Sequence, residues 1–369
     1  MALLRFLLIP LLALLMQAEP VSAQKKTTGK YPSLFWEISG NGLKKPSYLF
    51  GTMHVSSKMA FHLSDSFYLA IKNVDAVALE LNPDHWQREM VDMEKLRSDY
   101  TSFVTPGGGD FLAPASFRIM DFTEELKLAL NSEPTAVNSL LYRTYKDKED
   151  FEEDTFLDLY IFQTGRKLGK RATGVENYSE TERLILEAYT DMAKEKKKKR
   201  DYEGDSRYDI MEKLQEAYRQ GNLDLLDSLD LLTENSMAFR EKFIYKRNEI
   251  QASSIDTILR KNSLFVGVGA SHLPGERGVI ELLRKKGYKL RPIFMSDKDA
   301  PQRDAIDKLK VPVSFSTQLA EDSSYSVSMP GPLLKMEDER NSLDRCQYAD
   351  MNNGTYYLNK PRSGASSLS

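Results

Sequence analysis

In the run Tyr48-Leu49-Phe50-Gly51-Thr52-Met53-His54, three apolar residues lead into a glycine, and a histidine follows three positions later. The same order returns far downstream in Leu264-Phe265-Val266-Gly267-Val268-Gly269-Ala270-Ser271-His272. The two copies use two of the 4 histidines of the chain. An imidazole is the commonest metal ligand in proteins, and α/β folds keep their sites where strands end. The repeated pattern therefore predicts one site at a sheet edge, built around His54 and His272.

Each copy indicates a unit of strand, site, helix and second strand. In the first unit, strands over residues 33–39 and 47–50 form a predicted hairpin, because a glycine-rich turn joins them. Gly51 is expected to end the second of these strands. A short amphipathic helix over 64–74 follows, and the near-continuous apolar run 75–81 is typical of a buried strand.

The second unit has the same order. Its predicted elements are helix 237–261, strand 263–269, helix 279–286 and strand 288–294. Gly287 closes the shorter helix, as glycine commonly does. If the two units face each other across a pseudo-two-fold axis, His54 and His272 meet. The predicted fold class is therefore α/β, with a central mixed sheet built from two related strand–site–helix–strand units.

The rest of the chain is divided between an insertion and an appendage. Residues from about 84 to 246 predict a mostly helical insertion between the two units. Within it, a helix over 158–168 leads through a turn to a short strand that ends near Glu176. Residues 296–369 predict a small β-rich or partly disordered appendage, with an alternating run at 311–315.

Composition limits the functional classes. The net charge is −3 and 28% of residues are charged, which gives no general reason to expect a nucleic-acid partner. The basic run at 194–200 is typical of a solvated helix end or linker. The one cysteine, Cys346, excludes a disulfide within the chain and a multi-thiolate metal site.

Residues 1–23 have the layout of a secretory signal peptide. Arg5 supplies a positive charge, 6–15 form an apolar core, and Val21-Ser22-Ala23 offers small residues for cleavage. We expect a mature protein that begins near Gln24, is exported to the periplasm or secreted, and keeps no stable membrane span. An uncleaved anchor is the alternative, but the apolar core is short for a bilayer, which needs about 20 residues. The lack of disulfides favours the bacterial envelope.

Two glutamates join the histidines as candidates. Glu80 lies in an apolar run, and a buried carboxylate costs free energy unless it is paired. It is predicted to work with His54; the alternative is that it lies at the strand end and meets solvent or an arginine. Glu176 repeats the order of strand and glutamate, as a second site carboxylate or as a surface residue. His62 and His85 lack the glycine context and are expected on the surface or in loops.

Several segments together carry a resemblance to a known family. They are Leu49-Phe50-Gly51-Thr52-Met53-His54, Ala78-Leu79-Glu80, Gly174-Val175-Glu176, Arg247-Asn248, Gly267-Val268-Gly269-Ala270-Ser271-His272-Leu273 and the ending from Leu283 to Tyr288. Over roughly residues 33–293 the chain resembles the TraB/PrgY/GumN family, which includes the Tiki metalloproteases. The resemblance implies an α/β domain over 24–295, distantly similar to ChaN-like and erythromycin-esterase-like proteins. It also implies divalent-metal-dependent peptide cleavage, as in the Tiki branch, while some bacterial members are linked to peptide-pheromone shutdown.

The leading hypothesis is a metal-dependent hydrolase that acts on a peptide or protein and binds manganese, cobalt or zinc. Two imidazoles and a carboxylate form the ligand set of many catalytic sites. His54 and His272 are the predicted ligands, and Glu80 is either the third ligand or the base that takes the proton of a metal-bound water. Glu176 is the candidate for whichever of these two roles, ligand or base, Glu80 does not fill. Arg247 is expected to hold a carboxylate of the site or the oxyanion of the substrate; the supporting residues are Gly51, Gly269 and Asn248.

Two other hypotheses stay open. In one, the chain is a non-catalytic envelope protein that binds peptide, metal or haem through the same histidines. In the other, both histidines only cap helices and the protein is structural. The chain has no His-Glu-x-x-His helix, so it is not an ordinary zinc peptidase. Neither histidine lies near a Gly-x-Ser-x-Gly elbow, which argues against a serine triad.

Overall fold

The structure is a computed structural model that describes residues 29–53, 63–85, 88–89, 157–195, 207–233, 236–295, 300–320, 323, 325–336 and 345–359. Several predictions concern residues outside these ranges. They are the signal segment 1–23 with the mature start near Gln24, His54, His62, residues 196–200 of the basic run, and the chain end from residue 360. The structure tests none of these.

The first unit begins with the predicted hairpin. Strands β1 (Phe35–Gly40) and β2 (Ser47–Thr52) pair antiparallel. In the turn between them Gly40, Asn41 and Gly42 have φ angles of 78°, 47° and 81°. This left-handed region suits glycine, and asparagine tolerates it better than most residues do, so the turn sequence accounts for the hairpin.

Strand β2 does not end at Gly51, contrary to the prediction, but continues to Thr52. The N–H of Gly51 donates to the carbonyl of Leu34 at 2.9 Å, so the glycine keeps a backbone partner. A Cβ atom at Gly51 would lie 3.2 Å from the Cα of Ala270. The glycine therefore permits close approach of two chain segments and does not break the strand.

Helix α1 (Asp65–Asn73) and strand β3 (Ala76–Leu79) complete the first unit. Both were predicted, but β3 is shorter than the run 75–81. Glu80 consequently lies just after the strand and not within it. Its backbone carbonyl accepts hydrogen bonds from the N–H groups of Val175 at 3.1 Å and Glu176 at 2.8 Å, which ties the end of β3 to the insertion.

The described part of the insertion is mostly helical, as predicted. Its elements are α2 (Leu157–Lys167), β4 (Arg171–Gly174), α3 (Tyr178–Lys194), α4 (Arg207–Arg219) and α5 (Leu223–Thr233). Helix α2 and strand β4 confirm the predicted helix over 158–168 and the strand that precedes Glu176.

The second unit follows the predicted order. Its elements are α6 (Met237–Arg240), a π-helix (Glu241–Lys246), α7 (Arg247–Leu259), β5 (Leu264–Gly269), a 3₁₀ turn (Ala270–His272), α8 (Val279–Lys285) and β6 (Tyr288–Ile293). The π-helix interrupts the predicted long helix just before Arg247 and was not predicted. π-Helical turns of this kind are frequently found at functional sites.

Among the described residues, six strands form one mixed sheet in the order β4-β3-β5-β2-β1-β6. Strands β2 and β5 are parallel neighbours, with Thr52 opposite Gly269. Strand β3 runs parallel to both β5 and β4, while β1 is antiparallel to its neighbours. The carboxyl ends of β4, β3, β5 and β2 therefore lie at one edge of the sheet. This arrangement confirms the predicted α/β class with a mixed central sheet.

A cluster of aromatic rings joins the two units. The Phe67 ring of α1 lies 5.2 Å from the ring of Phe50 on β2 and 5.1 Å from that of Phe265 on β5. Phe35 of β1 packs on the same cluster, and all four side chains are buried. Each such burial stabilises the fold by roughly 1.5–3 kcal/mol. The core thus holds β2 and β5 side by side.

The appendage is β-rich where it is described. Its elements are α9 (Pro301–Asp307), β7 (Ser316–Leu319), β8 (Ser326–Met329), β9 (Leu334–Met336), β10 (Arg345–Asp350) and β11 (Thr355–Asn359). The alternating run 311–315 is not itself a strand but directly precedes β7. Arg166 on α2 donates from Nε to Asn352 Oδ1 at 2.8 Å, which docks the appendage on the α/β core. Within the described ranges, no helix is long and apolar enough to cross a membrane.

Candidate functional site

Three strand ends deliver the candidate side chains to one edge of the sheet. Glu80 follows β3, Glu176 follows β4, and His272 lies in the 3₁₀ turn after β5. Because these strands are parallel, their carboxyl ends lie together. Helix α7 adds Arg247 and Asn248 from its first turn. The structure therefore brings together every described candidate of the sequence analysis.

Arg247 binds both glutamates. Its Nη2 donates to Glu80 Oε2 at 2.8 Å, and its Nε donates to Glu176 Oε2 at 3.0 Å. The side chains of Arg247 and Glu176 are only 1% and 2% exposed. Phe243 of the π-helix accepts from Arg247 Nη1 through its carbonyl at 3.4 Å, and its ring lies 5.4 Å from the guanidinium. The π-helix thus orients the arginine toward the two carboxylates.

Glu176 is enclosed by donors and is not a surface residue. Thr181 donates its hydroxyl to Oε2 at 2.7 Å, and Gln251 donates from Nε2 to Oε1 at 2.5 Å. Burial raises the pKa of Glu176, the charge of Arg247 opposes that rise, and the charge of Glu80 adds to it. Burial would lower the pKa of Arg247, but the charges of Glu176 and Glu80 outweigh it and raise that pKa. The guanidinium stays charged.

Glu80 is anchored through both carboxylate oxygens. Its Oε2 accepts from Arg247, and its Oε1 accepts from the backbone N–H of Gly269 at 2.7 Å. Glu80 therefore lies at the strand end and meets an arginine, while its predicted partnership with His54 concerns a residue outside the described ranges. Oε1 also lies 3.6 Å from His272 Nε2, so the same carboxylate approaches a candidate ligand.

The ring of His272 is oriented by Asn248. Asn248 Nδ2 donates to the Arg277 carbonyl at 2.9 Å, which leaves its Oδ1 facing His272 Nδ1 at 2.6 Å. Nδ1 then donates its proton to this oxygen, and Nε2 faces the side of Glu80. An Nε2 lone pair and a carboxylate oxygen repel each other unless a proton or a metal ion lies between them. Such orientation of one ring nitrogen by a hydrogen bond is typical of metal-ligating histidines.

The donor types at this edge suit a divalent ion. An imidazole nitrogen and a carboxylate oxygen are ligands that zinc, manganese and cobalt accept. Within the described ranges, no group of three His, Cys, Asp or Glu side chains is arranged to hold a metal. The third expected donor, His54, lies outside those ranges, two residues beyond the end of β2. Of the remaining histidines, His85 lies exposed in a turn, as predicted.

Sequence reasoning missed two members of the network. Gln251 lies one helical turn after Arg247, so its spacing on α7 was the available signal. Thr181 lies on α3, the helix that starts shortly after Glu176, and contacts Glu176 from there. No sequence pattern predicts this contact.

The fold and the site agree with the resemblance noted in the sequence. The chain belongs to the TraB/PrgY/gumN family, whose family model matches residues 34–292. This range contains Glu80, Glu176, Arg247 and His272. The family assignment made from the sequence motifs is thereby confirmed.

Three curated relatives are similar to the chain at low identity. The Metalloprotease TIKI2 of Danio rerio is 24% identical over 383 residues, covering 83% of this chain and 72% of that protein. The Metalloprotease TIKI2 of Xenopus tropicalis is 26% identical over 70% of this chain, and the Metalloprotease TIKI1 of Danio rerio is 24% identical over 70%. The matches span 59% and 62% of the lengths of these last two relatives, which is less than two thirds. No solved structure matches the chain.

Proposed function

We propose that the chain is a divalent-metal-dependent hydrolase that cleaves peptides or proteins. The observation that carries the proposal is the 3.6 Å approach of His272 Nε2 to Glu80 Oε1 at the carboxyl edge of the sheet. The name metalloprotease, which the similar relatives carry, supports peptide cleavage and a divalent ion.

His272 and Glu80 are the proposed holders of the ion, with His54 as the third. Three protein ligands with one position left for water are usual for catalytic zinc. A bound ion would supply the acidity that ionises a water molecule and would polarise the scissile carbonyl. Manganese, cobalt and zinc all accept this donor set.

Glu80 suits the ligand role better than the role of general base. The guanidinium of Arg247 and the N–H of Gly269 bind its two oxygens and stabilise the ionised carboxylate. A carboxylate stabilised in this way is a weak proton acceptor but still presents lone pairs to an ion. We therefore favour Glu80 as a ligand.

Arg247 and Glu176 form a support that holds Glu80, the proposed metal ligand, in position. Arg247 is buried and engaged with two carboxylates, so its proposed role is to hold Glu80 and not to bind the oxyanion of the substrate. Glu176, in turn, fixes the guanidinium with the help of Thr181 and Gln251. Loss of the support would misplace the ligand, because a ligand set tolerates little displacement.

The proposed location is the bacterial envelope, either periplasmic or secreted. The support is the signal-like layout of residues 1–23, and mass spectrometry of the mature protein tests it. A mature chain that begins near Gln24 agrees with export. A chain that still carries residues 1–23 contradicts cleavage.

The test of function is turnover of a peptide library by the purified chain with added Mn²⁺, Co²⁺ or Zn²⁺. Turnover should require an ion and should disappear in His272→Ala. The matched control is His85→Ala, because His85 is exposed in a turn and should be dispensable. Metal binding without turnover of any peptide would contradict the hydrolase and favour the non-catalytic binder.

A further inference from the structure

The first glycine–histidine motif is held from two sides by buried polar groups. Tyr218 on α4 donates its hydroxyl to the carbonyl of Gly51 at 3.1 Å, and the backbone of Met53 lies close enough to the same hydroxyl to act on its pKa. Thr52 donates its own hydroxyl to Asp158 Oδ1, on α2, at 2.8 Å. Three consecutive residues of the motif therefore each contact Tyr218 or Asp158.

These contacts lie in the protein interior. Asp158 is 4% exposed, and Thr52 and Tyr218 are 2% exposed. Burial of a carboxylate and two hydroxyls costs free energy that apolar packing at the same place would not. Burial, and then the charge of Asp158, raises the pKa of Tyr218, so its hydroxyl keeps its proton at any physiological pH. The interactions restrain the backbone here more specifically than apolar contacts would.

The same chain segment is coupled to the candidate metal site. Thr52 lies opposite Gly269 in the parallel pairing of β2 and β5, and the N–H of Gly269 binds Glu80 Oε1. A Cβ atom at Gly51 would lie 3.2 Å from the Cα of Ala270, so a larger residue there would displace one of the two segments. A shift of Thr52 would therefore be transmitted to the strand end that holds Glu80.

We propose that Asp158 and Tyr218 are positioning residues for the first glycine–histidine motif. They act through Gly51, Thr52 and Met53, and they fix the position of the last described residues before His54. The inference rests on the proposed function, since the placement of His54 matters for chemistry only if it binds the ion. Asp158 also adds a negative charge near the carboxyl edge, which favours a bound cation.

Matched variants separate positioning from general stability. Thr52→Val removes the hydroxyl that binds Asp158, and Thr52→Ser keeps it. Tyr218→Phe removes the hydroxyl that binds Gly51. Its control is Tyr288→Phe, because Tyr288 donates a buried hydrogen bond to Asp256 at 2.8 Å from the first residue of β6, at the opposite edge of the sheet.

The first readout is Co²⁺ affinity, measured by titrating the full metal-free chain and following visible absorption. Thr52→Val and Tyr218→Phe should weaken Co²⁺ binding by roughly 10–100-fold, the loss typical when residues that orient ligands are removed. Thr52→Ser and Tyr288→Phe should bind as the wild type does. Wild-type affinity in Thr52→Val and Tyr218→Phe overturns the proposal, and so does an equal loss in Tyr288→Phe.

The second readout is hydrogen exchange of residues 51–54 without metal, which does not depend on the proposed function. Exchange should be faster in Tyr218→Phe and Thr52→Val and unchanged in Tyr288→Phe. If the wild-type chain binds no Co²⁺, the proposed function fails, and the restraint by Asp158 and Tyr218 is judged on exchange alone. Unchanged exchange in Tyr218→Phe and Thr52→Val then refutes it, and faster exchange supports it.

Discussion

Glu80 and Glu176 share the guanidinium of Arg247, at 2.8 Å and 3.0 Å. The two carboxylates come from the ends of parallel neighbouring strands, and a backbone hydrogen bond of 2.8 Å joins the two residues directly. Arg247 thus faces two buried carboxyl groups beside the His272 imidazole. Carboxylate oxygens and an imidazole nitrogen are donor types that a divalent cation accepts.

Loss of the shared guanidinium should destabilise the fold strongly. Arg247→Met leaves two buried carboxylates without their counter-charge, and breaking a buried pair costs about 3–5 kcal/mol. Urea denaturation of the metal-free protein measures the change. Arg183→Met is the control, because Arg183 pairs with Glu187 on the exposed side of α3 and should change the stability little. Equal stability of the two variants would contradict a structural role for the network.

Much of the fold could be predicted from local pattern. The apolar runs before Gly51 and Gly267 indicate strands, and their repetition indicated two related units before any contact was known. The end of a short strand also predicted where Glu176 would lie, whereas Glu80, predicted inside the run 75–81, lies just after β3. These features depend on the order of residues that are close together in the sequence, so a single sequence is enough to predict them.

The partners of the site residues could not be predicted in the same way. Arg247 is 167 residues from Glu80 and 71 from Glu176 in sequence, and no spacing rule links them. The π-helix that orients Arg247 has no distinctive amino-acid composition. The prediction that Gly51 ends the strand was wrong because the close approach of Ala270, which favours a glycine, comes from a distant segment.

The opposite edge of the sheet offers a test of pH dependence. Asp75 Oδ2 accepts from the hydroxyl of Ser263 at 2.7 Å and from its N–H at 3.0 Å. The Ser263 hydroxyl first, and then the N–H, lower the pKa of Asp75 from 3.8 to about 2. Because the folded-state pKa is depressed, the stabilisation is fully present above the ordinary pKa and is lost as the pH falls toward 2. The carboxylate is 43% exposed, so solvent screening reduces the contribution to about 1 kcal/mol.

Asp75→Asn should therefore be less stable than the wild type at neutral pH, and the difference should shrink as the pH falls from about 4 toward 2. Urea denaturation over this pH range measures it. Metal affinity should not change, because Asp75 precedes β3 at the edge away from the site. A stability difference that stays constant down to pH 2 would refute the assignment.

Glu80→Gln distinguishes the two roles of that carboxylate. If Glu80 is a ligand, its loss should weaken metal affinity by roughly 10–100-fold or more, the scale seen for residues around metal ligands. If it is a general base, the metal should stay bound while turnover falls by roughly 10²–10⁴-fold. We expect the first result, because Arg247 and Gly269 already stabilise the ionised form. Metal titration and turnover of the same preparation decide it, with Glu37→Gln as the surface control.

Anomalous X-ray diffraction from crystals soaked in Mn²⁺, Co²⁺ or Zn²⁺ tests the central claim most directly. We predict an anomalous peak at the carboxyl edge of the sheet. For zinc, the peak should lie roughly 2.0–2.2 Å from His272 Nε2 and from a Glu80 carboxylate oxygen. The His54 imidazole should lie on the same ion. A metal peak elsewhere, or His54 and His272 on opposite faces of the sheet, would contradict the metal site.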